Sequence, residues 1–420
     1  MLEKKSSIYS ERPIMEMGGE LVGWNKTLVL TPYGPRFRNF RRLIHQVIGS
    51  HAAMYKFDFV EEEETHRFLQ LLLSDPKNFS QHVRRTAGAI ILRISHGYKI
   101  LDQDDPFIFN AEKAVDQFSL STAPGGFLVN LIPQLKHVPE WLPGTGFKQT
   151  AREWAADLDR MADAPHEYVK SQMASGAAAP SFTSKLLESS ELSDEEEYDI
   201  KWASASLYGG GADTTVAQVH ALFLALALSP GPQARAQREL DQVVGKNRLP
   251  RMADRPNLPY INALVSELLR WFVIIPTGVP HRVAEDDVHE GYFIPKGSII
   301  FANLWFILHD ERVYHDPMEF KPERFLGPNA EPDPRNVCFG FGRRVCPGRV
   351  LGDHSVFMSA AMVLATFDVS KAQRDGKVVE PTVGQKNGTI SHPFPFECSI
   401  TPRSKEAVQL VLSKIGGDSE

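Results

Sequence analysis

A chain of 420 residues, 42% hydrophobic and 23% charged, is long and apolar enough to bury a large core, which excludes disorder as the default. Lys and Arg number 46 against 52 Asp and Glu, and a net charge of -6 gives no electrostatic ground for a nucleic-acid binder, so any basic patch is local. The cysteines, Cys338, Cys346 and Cys398, are odd in number and form no C-x-x-C pair, which excludes a disulfide framework and a zinc knuckle and fits a reducing compartment.

The amino terminus, MLEKKSSIYSERP, has no apolar signal core, and no uninterrupted apolar run approaches the roughly 20 residues of a membrane helix. As written, the chain reads as cytoplasmic or peripheral. Helical signals dominate from Arg36 to Arg270, without internal repeat or long linker, so one catalytic domain over 1–420 is expected. The proline-punctuated FLVNLIPQLKHVPEWLP, Phe127 to Pro143, is read as a satellite core under a long loop in preference to a channel mouth that touches lipid. ASGAAAPS, Ala174 to Ser181, is read as a surface loop.

The longest helix is expected to begin at Ser193, with Glu196 completing a capping box, and to stop at Ser229 before PGP. Between Trp202 and Ser229 its only ionisable side chains are Asp213 and His220, so protein must cover nearly every face; the same residues argue against a membrane span. Inside it lies GGGADTT, Gly209 to Thr215. Three glycines cost about 1 kcal/mol each in a helix interior, which close approach of a flat ligand or tight helix packing would offset. Asp213 favours a site, because a buried carboxylate is costly unless it is paired or used. Thr214 can return its hydroxyl to the Gly210 carbonyl and loosen the helix locally.

Further along, NLPYINALVSELLRWF places Glu267 and Arg270 on one helix face at the edge of an apolar arc, and FKPERF offers Arg324 as a third partner for a half-buried pair. GYFIPKGSIIF reads as a hairpin in which Tyr292–Ile294 and Ser298–Phe301 flank a Pro-Lys-Gly turn. The whole is mostly helical with a small sheet.

FGFGRRVCPG, Phe339 to Gly348, surrounds one sulfur with glycines and arginines. Pro347 suits the first position of the helix that follows, so Cys346 is expected at a helix amino terminus, where the macrodipole and free N–H groups favour a thiolate. Gly340 and Gly342 let the loop fold under the sulfur, and Arg344 supplies a cation for an anionic group above it. An inert buried cysteine leaves those neighbours unexplained, and a phosphate loop would want Lys-Ser or Lys-Thr where Arg349 and Val350 stand. A cysteine nucleophile with a distant histidine remains open.

These residues resemble the cytochromes P-450. FGFGRRVCPG is similar to their haem-binding signature at Phe339, Gly342, Arg344, Cys346 and Gly348; GGADTT resembles their oxygen-activating helix, ELLR their Glu-x-x-Arg helix, and FKPERF the segment whose Arg324 completes that pair. Four motifs in order cover the chain from about Arg36 onward. The resemblance implies the mainly α cytochrome P-450 fold, a large helical lobe with small β-sheets, and haem b (iron protoporphyrin IX) as cofactor. Cys346 would be the axial thiolate of the iron. Arg41, Arg344 and one or both of His281 and Arg282 would hold the propionates, with Phe339, Gly340 and Gly348 shaping the seat. Asp213 and Thr214 would order water and supply protons where dioxygen is activated, and Gly210 and Gly211 would leave room for it.

Two departures stand out. Where the family has Trp-x-x-x-Arg, this chain has Phe37 and Arg41, so an indole donor is lost and weaker anchoring is expected. Microsomal members also carry a membrane anchor, a first helix and first strands before the point where this sequence opens, so an amino-terminal truncation is expected, exposing the sheet edge that contains Tyr292 to Phe301.

The implied function is a haem-dependent monooxygenase that inserts one atom of dioxygen into an apolar small molecule, a secondary metabolite or xenobiotic, as in fungal microsomal members such as the O-methylsterigmatocystin oxidoreductase group. WNKTLVL, VIIPTGVP and SHPFPFE are the pocket-lining candidates by resemblance. Electrons would come from a separate NADPH-cytochrome reductase, with cytochrome b5 as a second donor, docking on Arg343, Arg349 and RFRNFRR of a monomer. Family members sit on the endoplasmic reticulum facing the cytosol. The competing readings are a haem-thiolate isomerase or dehydratase that needs no reductase, against which Asp213 and Thr214 count, and a truncated non-catalytic haem-binding remnant.

Overall fold

Prolines and capping side chains set where the main helices begin. The computed structural model describes residues 1–102, 104–123, 125–189 and 191–414. Pro35 opens α1 (Pro35–Ile48), and the short α2 (His51–Met54) leads to α3 (Asp58–Ser74) and α4 (Phe79–His96). Asp105 accepts from the N–H groups of Phe107 and Ile108 to start α5 (Pro106–Thr122), which packs on the long α6 (Phe147–Ala174). The expected loop after Ala174 is present, and Ser181 closes it by capping α7 (Phe182–Leu187).

Ser193 and Glu196 form the expected capping box, their contacts 3.3 and 2.9 Å long. The helix they start is interrupted: α8 (Asp194–Ala212) ends at Asp213 and α9 (Thr214–Leu228) resumes at once. The Thr214 hydroxyl donates to the Gly210 carbonyl at 2.8 Å, as expected for a locally loosened helix. By length and composition the stretch Asp194–Leu228 could cross a membrane, but most of it is buried inside the protein. α10 (Pro230–Val243) and α11 (Pro259–Trp271) follow, each opening on proline.

The strands differ from the expected hairpin. β1 (His281–Arg282) pairs with β4 (Ile299–Ile300), and β2 (Asp287–His289) pairs with β3 (Tyr292–Ile294), both antiparallel. Glu290 and Gly291, both at positive φ, make the β2–β3 turn, so Tyr292–Ile294 folds back on the chain before it instead of forward across Pro-Lys-Gly. Tyr292 and Phe293 are exposed, as are Ile299 and Phe301. α12 (Leu304–Leu308) and α13 (Arg335–Cys338) lead to α14 (Arg349–Thr366); β5 (Phe367–Lys371) pairs with β8 (Cys398–Pro402), β6 (Gln373–Arg374) with β7 (Lys377–Val378), and α15 (Lys405–Leu412) ends the described chain. The fold is mainly α with small antiparallel sheets, as expected.

Among the described residues the core holds two large apolar clusters and a small third one around Leu304, Leu308 and Tyr314. One large cluster joins α1, α5 and α8 through Phe37, Phe40, Phe118, Trp202 and Tyr208. The other joins α9, α11 and α14 through Phe223, Leu264 and Phe357. In contrast, much of the segment expected to be a satellite core points outward: Leu128, Leu131 and Trp141 are exposed, while Val129 is buried in the first cluster and Phe127 and Leu135 pack against it. Its prolines keep it in short turns that cannot present one continuous apolar face inward.

Where α3 crosses α14, Glu61 is fully buried and accepts from the Ser355 hydroxyl at 2.8 Å. Burial pushes its carboxyl up to about 8, so it is neutral in the fold where an unfolded glutamate is ionised. The folded state therefore binds the extra proton, and the penalty grows from pH ~4.5 and is complete above about 8. Glu61→Gln is expected to remove this slope and stabilise the protein by a few kcal/mol at pH 8 but little at pH 5. Urea unfolding at both pH values checks it.

Candidate active site

The Cys346 loop is built by its glycines. Gly340 (φ +77°) and Gly342 (φ +56°) lie in the left-handed region, and the turn they make brings the Cys346 N–H to the Phe339 carbonyl at 2.8 Å. A Cβ on Gly342 would sit 2.5 Å from the Leu2 carbonyl oxygen, so the amino-terminal segment closes against this turn. Pro347 does not begin the next helix; α14 starts at Arg349, and Gly348 directs its N–H at the sulfur. Burial raises the Cys346 thiol above its ordinary value, and this outweighs the Gly348 N–H and the Arg41 and Arg349 cations. The expected thiolate thus does not follow from the helix terminus alone, since the sulfur lies outside the first turn; a coordinated metal cation is what deprotonates such a thiol.

Cys346 opens on a cavity of about 310 Å³ that also contacts Phe339, Gly340, Gly348, Gly210, Gly211 and Thr214. The two helix glycines do different work there. A Cβ on Gly210 would meet nothing within 4 Å, whereas one on Gly211 would lie 2.9 Å from Ile91, so Gly211 serves the packing of α8 on α4 and Gly210 leaves open space. The cavity lining contains three guanidiniums, Arg12, Arg41 and Arg344, and the His281 imidazole. Arg282, expected beside His281, is outside the lining; its N–H pairs with the Glu11 carbonyl at 2.8 Å, and strand alternation turns it from His281.

Each cation is fixed by main-chain carbonyls. Arg344 donates to Ser10 and Thr31, both at 2.8 Å, and its guanidinium stacks 3.9 Å over Phe37, so the ring that replaces an indole supports the arginine instead. Arg12 donates to Val279 at 2.6 Å and Pro280 at 2.7 Å; Arg41 donates to Val345. Burial holds Arg344 down at about 10, and burial together with Arg344 holds Arg12 well below its ordinary value. His281 pairs through Nδ1 with the Tyr9 carbonyl at 2.6 Å, and burial lowers it to about 4, so the ring is neutral. No Asp or Glu is among the described lining residues. Cations with no carboxylate in the lining favour an anionic guest there, because burying an ion is costly and Glu11 acts on Arg344 only from outside the lining. A flat dianion with a metal centre meets both the guanidiniums and the sulfur, and the two propionates and iron of haem fit that description.

Asp213 is not in the lining. Its carboxylate turns to His392 Nε2 at 2.9 Å and Arg84 Nη1 at 3.4 Å. Burial raises it, but His392, Arg84 and His220 outweigh burial and hold it below the usual carboxylate range. Thr214 does face the cavity, together with Thr215 and Gln218.

The remaining wall is apolar. Trp24, Leu28 and Val29 of WNKTLVL line it, as do Val273, Ile274 and Val279 of VIIPTGVP. From the late loop it is Thr389 and Ile390 that line, not SHPFPFE itself. Arg12 carried no sequence signal, because a lone arginine before proline has no periodicity to mark it. Behind α14, Glu267 takes Arg270 in a two-point contact at 2.8 and 2.9 Å and lies 3.0 Å from Arg324, all three buried.

The chain matches the family model described as Cytochrome P450 over residues 1–394. It is 50% identical to cytochrome P450 monooxygenase 208 of Postia placenta, covering 98% of this chain and 81% of that relative. It is 47% identical to cytochrome P450 monooxygenase claR of Ampulloclitocybe clavipes and 42% to cytochrome P450 monooxygenase ppsD of Aspergillus oryzae, each over 98% of this chain and 77% and 79% of the relatives.

Proposed function

Since the chain belongs to the cytochrome P450 family and is a haem-dependent monooxygenase, we propose that Cys346 is the axial ligand of haem b iron and that the substrate is an apolar small molecule of secondary metabolism. The observation that carries this reading is the sharing of one cavity by three guanidiniums and the Cys346 sulfur, with no lining carboxylate among the described residues; Cys338 lines the cavity too, but only Cys346 receives a backbone N–H, from Gly348. Bound there, haem supplies the activation of dioxygen, one atom entering the substrate and the other leaving as water.

The chain's own groups divide the remaining work. Arg12, Arg41 and Arg344 hold the propionates, and the neutral His281, whose one N–H goes to the Tyr9 carbonyl, adds its ring to the same seat. Gly210 leaves the space where oxygen binds. Thr214, whose hydroxyl bridges the helix break, holds water there, and Asp213 behind it carries the charge that feeds protons to that water. The apolar wall of Leu28, Val115, Phe118 and Ile390 excludes other water and selects an apolar substrate. Arg38 and Arg343 cluster over the Tyr33 ring, and with exposed Arg42 and Arg349 they form a positive face near the Cys346 loop that suits an acidic NADPH-cytochrome reductase.

Reduced protein exposed to carbon monoxide tests the assignment. A Soret band at the thiolate-ligated position is expected, and NADPH oxidation should require added reductase; a band at another position overturns Cys346 as ligand. Thr214→Ala is expected to retain haem while product formed per NADPH falls roughly 10-fold or more, the difference appearing as peroxide.

A further inference from the structure

We propose that His392 is a positioning residue that latches the carboxy-terminal loop to the helix break, tying the cavity wall formed by Thr389 and Ile390 to the carboxylate behind Thr214. This rests on the monooxygenase reading above. The loop from Gly384 to Phe394 is held to the protein at several points: the Ser391 N–H reaches the Ile274 carbonyl at 2.8 Å, Gln385 Nε2 reaches Val273 at 3.1 Å, and Thr389 meets Thr122 at 2.8 Å. Two residues after Ile390 the His392 ring binds Asp213, so the loop's end grips the residue that interrupts α8 and α9.

Two observations separate this contact from ordinary packing. Arg84 already gives the buried Asp213 a permanent cation, at 3.4 Å and shared with Glu112 at 3.9 Å. A second, shorter partner is redundant for holding charge, and its distinct property is that it belongs to the loop and can release the carboxylate when the loop moves. In addition, His392 Nδ1 is buried with no partner, so the ring is held by Nε2 alone and can swing away without breaking a second bond. When it leaves, Asp213 loses its nearest donor and the loop loses its grip on the break. The carboxylate is then free to turn toward the cavity as the wall opens.

The other charged groups facing Asp213 do not substitute for this ring. His220 on α9 is lowered to about 4, chiefly by burial, and stays neutral. Glu112 and Asp116 on α5 are acids raised first by burial, and Arg84 on α4 stays charged. Lys386, on the loop itself, faces Asp116.

The holoenzyme, His392→Phe and His392→Gln test this by two readouts. The first is amide hydrogen exchange at Lys386 and Ser391, whose N–H groups bond within and beside the loop. The second is the fraction of NADPH electrons released as peroxide with reductase present and no substrate. In His392→Phe exchange is expected to speed at least severalfold and the peroxide fraction to rise about twofold or more. In His392→Gln, which keeps a donor, exchange is expected to stay slow and the peroxide fraction to stay near the wild-type value. Unchanged exchange in His392→Phe overturns the latch. Faster exchange with an unchanged peroxide fraction overturns the link to proton supply. Wild-type protein without a thiolate-ligated carbon monoxide band overturns the monooxygenase reading itself and leaves the exchange result standing.

Discussion

Cys346→Ala is expected to abolish the thiolate-ligated carbon monoxide band and to bring turnover to background, a loss of ~10³-fold or more on the scale of enzymatic acceleration. The sulfur is the only one whose loop positions it: Cys338 and Cys398 are free thiols raised by burial, and neither has a glycine turn aiming an N–H at it. The arginines remain in the variant, so some haem is expected to bind without its sulfur ligand. Absorption spectra of the reduced protein with carbon monoxide check both statements. A thiolate band surviving in Cys346→Ala rules out the assignment.

The second large effect is on stability. Glu267→Ala leaves the Arg270 guanidinium buried with no anion and takes from Arg324 one of its two carboxylates, the other being Glu331 at 2.8 Å. It also strands the Lys321 N–H, which donates to Glu267 at 2.7 Å. Removing one partner of a buried pair costs about 3–5 kcal/mol, a large share of the 5–15 kcal/mol by which a typical domain is stable. Arg270 further spans to the Leu308 carbonyl at 3.0 Å, so the loss reaches α12. Urea unfolding midpoints of the wild type and variant measure it, and a shift worth under about 1 kcal/mol contradicts this account.

Features written into contiguous chemistry were legible before the structure. The capping box at Ser193, the Thr214 hydroxyl on Gly210 and the loop under Cys346 depend on residues within ten positions of each other, where spacing fixes geometry. Arg324 was a candidate whose role spacing alone did not establish, and it became legible through the resemblance of FKPERF to the family's segment. What depends on partners brought from afar was not. Arg12 acquires its place from Val279 and Pro280, and Asp213 acquires its partner from a loop 179 positions away. Strand pairing failed for a related reason: Glu290 and Gly291 make a tighter turn than Pro-Lys-Gly, and which of two adjacent turns closes a ladder is decided by left-handed backbone angles that composition shows only weakly. The outward face of Leu128, Leu131 and Trp141 was misjudged because apolar content reports how much could be buried, not whether the backbone can turn it inward.

The ring of guanidiniums has a consequence for the life of the protein in a cell. Three like charges confined together oppose folding until a dianion joins them, so cofactor availability and the concentration of intact polypeptide are linked by mass action. Chains synthesised while haem is scarce spend more time open, and proteases remove them first. Abundance would then follow porphyrin supply with no regulator beyond the electrostatics of the three arginines.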